Sequence, residues 1–319
     1  MIAFTSAVEP LRMANRLSGE PLYEWITITE NGEPVPASSG LAVQPDCSID
    51  EAADLDILFI CGGLNIGDSC SKSIVSWLQK LARQKVGLGA LCTGTYVLAR
   101  SDLLNGTRCT VHWENLAAMR EEFPQLNLSH ELFEICDNRY TCAGGTASLD
   151  MMLNLIGQQH SIELAAEISE EFMCERIRDH NDLQRIPLRQ YLGTSQPKLM
   201  EAVSLMEANL EEPMSLDELS QYVCLSRRQL ERLFRKHLHC VPTRYYLNLR
   251  LARARQLLLQ TNMTVVDVTL ACGFVSAPHF SKCYRDHFGI PPSEERRPQK
   301  FLRKNEARKL NGVAELATQ

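Results

Sequence analysis

The sequence predicts a doubly wound α/β domain followed by an all-helical domain with two helix-turn-helix units. Three observations carry this reading. Strand-like and helix-like runs alternate through the first half of the 319 residues. A helical pattern centred near residue 230 returns 50 residues later. Charge also divides along the chain: residues 1–197 carry 14 Lys and Arg against 26 Asp and Glu, whereas residues 198–304 carry 17 against 11. Two domains suit this length, each large enough to bury its own core.

The first half is expected to run as follows. Ala3–Leu17 has helical periodicity, and Glu24–Thr29 and Leu41–Val43 have the β-branched and aromatic content of strands. Leu55–Cys61 is a continuous apolar run ending in Gly62-Gly63, as a strand buried on both faces would be. Ile74–Gln84 is a helix, Val86–Leu91 a strand and Thr93–Ser101 a helix. Trp113–Phe123 and Gly145–Gln159 are further helices, with a hairpin over Leu132–Cys142 between them. Ser161–Glu175 closes the domain. Such domains normally open on a strand, and this one opens on a helix. The missing strand would lie inside the sheet, so two expectations follow: either the biological chain begins upstream of Met1, or this half is of low stability.

Gly89-Ala-Leu-Cys92-Thr-Gly94 links a strand to a helix through small residues. That spacing presents Cys92 sharply at the strand's carboxyl end, in the manner of a nucleophile elbow. The helix dipole is expected to lower the Cys92 pKa. Downstream, His112, Trp113 and Glu114 bring an imidazole, an indole and a carboxylate together. Glu9 stands on the first helix, Thr93 follows the cysteine, and Gly62 and Gly63 could present N–H groups to an anion. Three readings stay open: a pocket that holds a ligand without transforming it, a thiol hydrolase or amidase using Cys92 and His112, or a cysteine that is merely a small buried residue.

In the second half, Ser215-Leu-Asp-Glu218 opens one helix with a capping box and Ser226-Arg-Arg-Gln229 opens the next. Leu230, Leu233 and Phe234 share one face of the second helix, leaving Arg227, Arg228, Glu231, Arg232 and Arg235 on the others. Helix, tight turn and cationic helix make a helix-turn-helix, whose second helix enters the major groove. A shift of 50 residues lays Ser226 on Ser276, Leu230 on Phe280, Arg232 on Lys282, Phe234 on Tyr284, Arg235 on Arg285, Pro242 on Pro292, and Asp217 on Asp267. Thr243–Gln260 is a stiff helix between the two copies, which suits successive major-groove segments about one turn apart. Arg176–Pro197 reads as a linker and residues 299–319 as a polar tail, so the domains are placed at 1–175 and 198–298.

Ala271-Cys-Gly-Phe274, Ser276, Phe280-Ser281-Lys282, Tyr284, His287-Phe-Gly289 and Pro292-Ser293 resemble the signature of AraC/XylS-type transcription regulators. Glu294-Glu295 departs from it, standing where the family often has an aromatic residue. The first half resembles the DJ-1/PfpI branch of the glutamine-amidotransferase-like, flavodoxin-like fold, through Glu9-Pro-Leu-Arg12, Gly62-Gly63, the Cys92 elbow, Leu103-Leu-Asn-Gly106, Thr110, His112-Trp113 and Gly144-Gly145-Thr146 with Asp150. Thr93 departs from hydrolases of that branch, which often place His after the cysteine. The resemblance implies a sensor, not an enzyme, that binds double-stranded promoter DNA with Arg227, Arg228, Glu231, Arg232, Arg235, Ser276, Ser281, Lys282 and Arg285. It aims Arg228, Glu231 and Arg232 at base edges, and the matching Pro278, Ser281 and Lys282 offer less hydrogen bonding. The first reader is therefore expected to discriminate sequence and the second to anchor backbone.

By the same resemblance the small-molecule effector is nitrogenous: glycine betaine or dimethylglycine first, arginine or carnitine as alternatives. Glu9, Gly62, Gly63, Cys92, Thr93, His112, Trp113 and Glu114 are its expected contacts. RNA polymerase and a second copy of the chain are expected partners. No cofactor or metal is expected, since the 12 cysteines include no CxxC pair and lack zinc-ligand spacing. Their scatter suits a reducing cytoplasm. No apolar run approaches the roughly 20 residues of a membrane span.

Overall fold

The computed structural model describes residues 1–64, 66–182, 184 and 196–295. The chain forms two compact units, Met1–Pro187 and Leu188–Gln319.

In the first unit α1 (Ile2–Ser18) buries Ala3, Ala7, Pro10, Met13 and Ala14 on one face and ends on Gly19, whose left-handed backbone returns an N–H to Asn15. β1 (Ile28–Thr29) pairs in parallel with β4 (Cys47–Ser48), while β2 (Val35–Pro36) and β3 (Ala42–Val43) make a short hairpin between them. β5 (Ile57–Cys61), α2 (Lys72–Arg83), β6 (Gly87–Leu91) and α3 (Thr95–Arg100) follow. β7 (Arg108–Cys109) and β8 (Asn127–Leu128) pair in parallel around α4 (Leu116–Glu122). β9 (Phe133–Cys136) and β10 (Arg139–Cys142) form the expected hairpin, followed by α5 (Ala147–Gln159) and α6 (Ile162–Glu171).

The main sheet has the order β5-β6-β10-β9, parallel except for the last pair. Every residue of β6 is buried. Leu88 and Ala90 belong to one core with Leu78, Val97 and Leu98, and Leu91 to another with Ala7, Phe133 and Met151. A sheet with a separate helix-covered core on each face is what doubly wound means physically.

Two expectations need correction. β5 is not buried on both faces: Ile57–Ile60 are half-buried and Cys61 is exposed. Its only ladder partner among the described residues is β6, and β1 with β4 forms a separate two-stranded sheet. The strand expected inside the sheet is absent among the described residues, so one side of β5 lacks its packing neighbour. The predicted strand over Glu24–Thr29 shrinks to Ile28–Thr29 for the same reason, having no longer ladder to join. Secondly, the stretch from Arg176, read as a linker, returns onto the α/β unit, where Arg178 bonds to the buried Asp150 of α5. The rest of that predicted linker, apart from Gln184, Gln196 and Pro197, and the tail 299–319 lie outside the described residues.

The second unit is built of α7 (Pro197–Ala208), α8 (Leu216–Tyr222), α9 (Arg227–Leu238), α10 (Pro242–Gln260), α11 (Val265–Ala271), α12 (Ala277–Phe288) and α13 (Pro292–Glu295). Leu219, Val223, Leu230 and Phe234 close one core with α7 and Tyr246. Both predicted capping boxes of the first copy form, Ser215 with Glu218 and Ser226 with Gln229.

The repeat is not uniform. In the leading helices the structure pairs residues 49 apart: the box Ser215/Glu218 matches Thr264/Asp267, and the turn bond Leu225 N–H to Ser220 matches Phe274 N–H to Thr269. Left-handed Cys224 (φ 54°) matches Gly273 (φ 70°). Asp267 therefore corresponds to Glu218, not to Asp217. One extra residue, Val275, enters the second turn and is 96% exposed. After it the offset becomes 50, and the two reader helices coincide as the sequence spacing predicts.

Candidate functional site

On α9 the apolar stripe is inward: Leu230 and Phe234 have no exposure. Arg228 and Arg232, four residues apart on the opposite face, are exposed and have no hydrogen-bond or ion-pair partner among the described residues. Arg227 instead lies 3.4 Å from Asp217 of α8, and Arg235 lies 3.7 Å from Glu231. Among the candidate base-reading side chains, two are thus free and Glu231 is engaged by its neighbour. On α12 Lys282 and Arg285 are exposed, Ser281 is half-buried, and Phe280 and Tyr284 hold the core. Ser276 stands at the N-cap but makes no side-chain cap bond, its backbone angles (φ −146°, ψ 119°) differing from those at Ser226 (φ −72°, ψ 155°), and His279 stands where the first copy has the box Gln. The second copy therefore keeps the fold of the first and loses its N-terminal lock.

Three arginines of α10, Arg250, Arg253 and Arg255, are scaffold residues that the sequence alone does not reveal. Arg250 donates to the carbonyls of Cys272 and Gly273 at 2.7 Å each, and its guanidinium lies 4.0 Å from the centre of the Phe274 ring. Arg253 bonds to Glu211 at 2.8 Å. Arg255 bonds to Glu295, which accepts a second bond from the Tyr284 hydroxyl, both at 2.9 Å. Glu295 is thus the side chain that ties α13 to α10 and α12. Of the acidic pair that departs from the family pattern, Glu295 supplies this polar clasp.

In the α/β unit Cys92 stands at the end of β6 with φ 59°, as an elbow requires. The approach is close. A Cβ on Gly144 would fall 2.4 Å from that of Cys92, and one on Gly62 would fall 2.0 Å from the Gly94 nitrogen. The Gly62 N–H is already used by the Leu91 carbonyl at 3.1 Å, so it is not available to an anion. The Thr93 hydroxyl donates to the Gly63 carbonyl at 2.7 Å, clamping the two turns together.

The dipole expectation for Cys92 fails. Burial pushes its thiol pKa up; the Thr93 N–H counters this, and the Glu114 carboxylate reinforces it. Desolvation of a thiolate outweighs one helix terminus. Neither His112 nor Glu9 figures among the groups acting on the thiol. His112 turns Nδ1 toward Glu114, accepting its N–H at 3.4 Å with a carboxylate oxygen at 3.7 Å. Burial holds the His112 pKa below its ordinary value, partly opposed by Glu114. Glu9 bonds to Arg12 on its own helix at 2.7 Å. The structure brings His112, Trp113 and Glu114 together, the two rings 5.6 Å apart, and assembles no thiolate–imidazole pair.

Two cation-bearing helices on a repeated helix-turn-helix scaffold, joined in one chain to an α/β unit with an uncharged thiol, define a DNA-binding protein with an attached sensor fold. Residues 5–158 match the DJ-1/PfpI family and residues 219–298 a helix-turn-helix domain. The chain is 58% identical over 299 residues to the HTH-type transcriptional regulator GbdR of Pseudomonas aeruginosa, covering 94% of this chain and 82% of that one. It is 45% identical over 296 residues to the regulator CdhR of the same species, covering 93% and 88%. A crystal structure of an AraC-type DNA-binding domain from Chromobacterium violaceum is 64% identical, with a TM-score of 0.32, and covers 33% of this chain and 96% of that one. The chain belongs to the AraC-type helix-turn-helix transcription regulators that carry a DJ-1/PfpI domain. Both Pseudomonas aeruginosa relatives are transcriptional regulators. Among the described residues, no helix is long and apolar enough to cross a membrane.

Proposed function

We infer that the protein activates catabolic genes when glycine betaine or dimethylglycine binds near Cys92 and His112–Glu114. The observation that carries this is the set of side chains found there: an indole, Trp113, beside a half-exposed carboxylate, Glu114, whose charge acts on a thiol that stays protonated. A quaternary or tertiary ammonium gains ~0.5–2 kcal/mol from an aromatic face. It needs a single nearby anion and no nucleophile. Arginine is the weaker candidate, because a guanidinium favours two-pronged carboxylate contacts and Glu9 is already committed to Arg12.

At the promoter, Arg228 and Arg232 read base edges. Arg227, Glu231 and Arg235 orient α9, and Ser276, Ser281, Lys282 and Arg285 hold the backbone. Activation adds a contact with RNA polymerase, and two copies of the chain occupy paired half-sites. Calorimetric titration of the full chain with glycine betaine, dimethylglycine, carnitine and arginine tests the effector reading. The two methylated glycines are expected to bind more tightly than arginine; tighter binding of arginine or carnitine would overturn it.

A further inference from the structure

The stretch after α6 is attached to the α/β unit along its length: Ile177 packs on the core of Met13, Leu153 and Ile168, the His180 carbonyl accepts from the Leu132 N–H at 3.3 Å, and two further points differ in character. The first is Arg178. It donates to Asp150 from its backbone N–H at 2.9 Å, from Nε at 3.0 Å and from Nη2 at 2.6 Å, and Nη2 also reaches Thr146 at 2.8 Å. Asp150 is 5% exposed. A guanidinium fork on a buried carboxylate is strong and directional. The stretch is also tied to itself, with Arg176 on Asp182 and the Asp179 N–H on the same carboxylate.

The second point is Gln184. Its Nε2 lies 2.9 Å from Thr110 Oγ1, 3.1 Å from the Val111 carbonyl and 2.9 Å from the Glu131 carbonyl. Two hydrogens serve three acceptors. Among the described residues its own Oε1 is buried with no hydrogen-bond partner, as is Glu131 Oε2. An unsatisfied buried acceptor offsets part of what the donated bonds gain. Arg178 is therefore an anchor and Gln184 a latch held close to balance. The latch closes on Thr110 and Val111, the two residues before His112 and Trp113.

We propose that residues 176–182 together with Gln184 form a strap, anchored by Arg178 and His180 and latched by Gln184, through which a ligand bound at His112–Trp113 controls the DNA-binding unit. This deepens the effector reading and rests on it for the ligand's identity. Coupling needs an element with two arrangements that both sites bias. Latched and unlatched Gln184 are two such arrangements. A ligand that shifts His112 and Trp113 moves the latch's acceptors, and by reciprocity unlatching must change the ligand's affinity by the same factor.

The test is amide hydrogen exchange on the full chain, with reporter transcription beside it. Gln184→Ala is expected to speed exchange about fivefold or more in residues 108–114 as well as in 176–184, the lower end of ordinary coupling. Trp113→Ala, made from the ligand side, should speed exchange in 176–184 without touching the strap. Arg178→Ala should speed exchange around residues 176–179, and Arg178→Lys, which keeps the charge and loses the fork, gives a milder effect should the first variant fail to fold. With glycine betaine as inducer, Gln184→Ala is expected to cut the ratio of induced to basal transcription about fivefold while operator affinity stays within about twofold. Unchanged exchange in 108–114 with the strap released would overturn the proposal. So would an unchanged induction ratio. If the wild-type chain fails to bind glycine betaine, the effector reading falls alone, and the exchange results still decide the strap.

Discussion

Arg232→Ala isolates base reading from the rest of DNA binding. Arg232 is exposed on α9, opposite Leu230 and Phe234, and unpaired among the described residues. Its removal leaves the buried stripe and the Ser226–Gln229 box intact, so the thermal midpoint should move little, as for other surface changes within about ±0.5 kcal/mol. Loss of a two-pronged contact to guanine costs ~1–3 kcal/mol, or roughly 5- to 150-fold in Kd. That loss should fall on one base pair of the operator. The assay is fluorescence anisotropy on a selected operator and on single-base variants of it, at two or more salt concentrations. For base reading, the variant protein becomes indifferent at one position and keeps its salt slope. A uniform loss on every sequence, with the slope of log K against log salt reduced by about 0.9, would mean that Arg232 holds a phosphate instead, and the assignment of α9 as the discriminating reader would be refuted.

Other outcomes follow from the same geometry. Thr264→Ala should destabilise the helical unit by ~1 kcal/mol in chemical denaturation, because it deletes a formed cap, whereas Ser276→Ala, which caps nothing, should change it by less than about 0.5 kcal/mol; equal effects would mean that the two N-termini are alike. Cys92 should react slowly with iodoacetamide at pH 7 and faster at every step toward pH 9, followed by peptide mass spectrometry. A plateau below pH 8 would reveal a stabilised thiolate, contrary to the raised pKa. The depressed pKa of His112 means that the unfolded chain binds the proton first as pH falls below its ordinary 6.5. Its contribution to the α/β unit is therefore present above that pH and is lost through the folded pKa, and His112→Asn should flatten the stability slope between pH 5 and 6.5. Protonation there also adds a cation beside Trp113, so glycine betaine should bind more weakly as pH falls through the lowered His112 pKa.

The largest features were legible before any coordinates. Ser215 with Glu218 and Ser226 with Gln229 place two helix starts to the residue, since a cap is a bond between neighbours three positions apart. Buried Leu230, Phe234, Phe280 and Tyr284 follow from spacing along one helix. Repetition of that local code identified two readers and, with the alternation of strands and helices ahead of them, two folds in one chain. A uniform offset of 50 hides a single insertion in the leading half of the repeat, and only the paired turn bonds expose Val275.

What depends on desolvation or on distant partners was decided by packing. The charge state of Cys92 turns on how much of the elbow is withdrawn from water, which no spacing of small residues encodes. Arg178 finds Asp150 across 28 positions and Gln184 finds Thr110 across 74, so a segment with the composition of a linker becomes part of the α/β unit. Arg250, Arg253 and Arg255 look cationic in sequence and are consumed by carbonyls, rings and carboxylates in space. Sequence determined the helices, their caps and their duplication, because those are interactions between near neighbours. Tertiary structure alone decided which charges remain free, because a charge stays free only if the fold brings nothing to meet it.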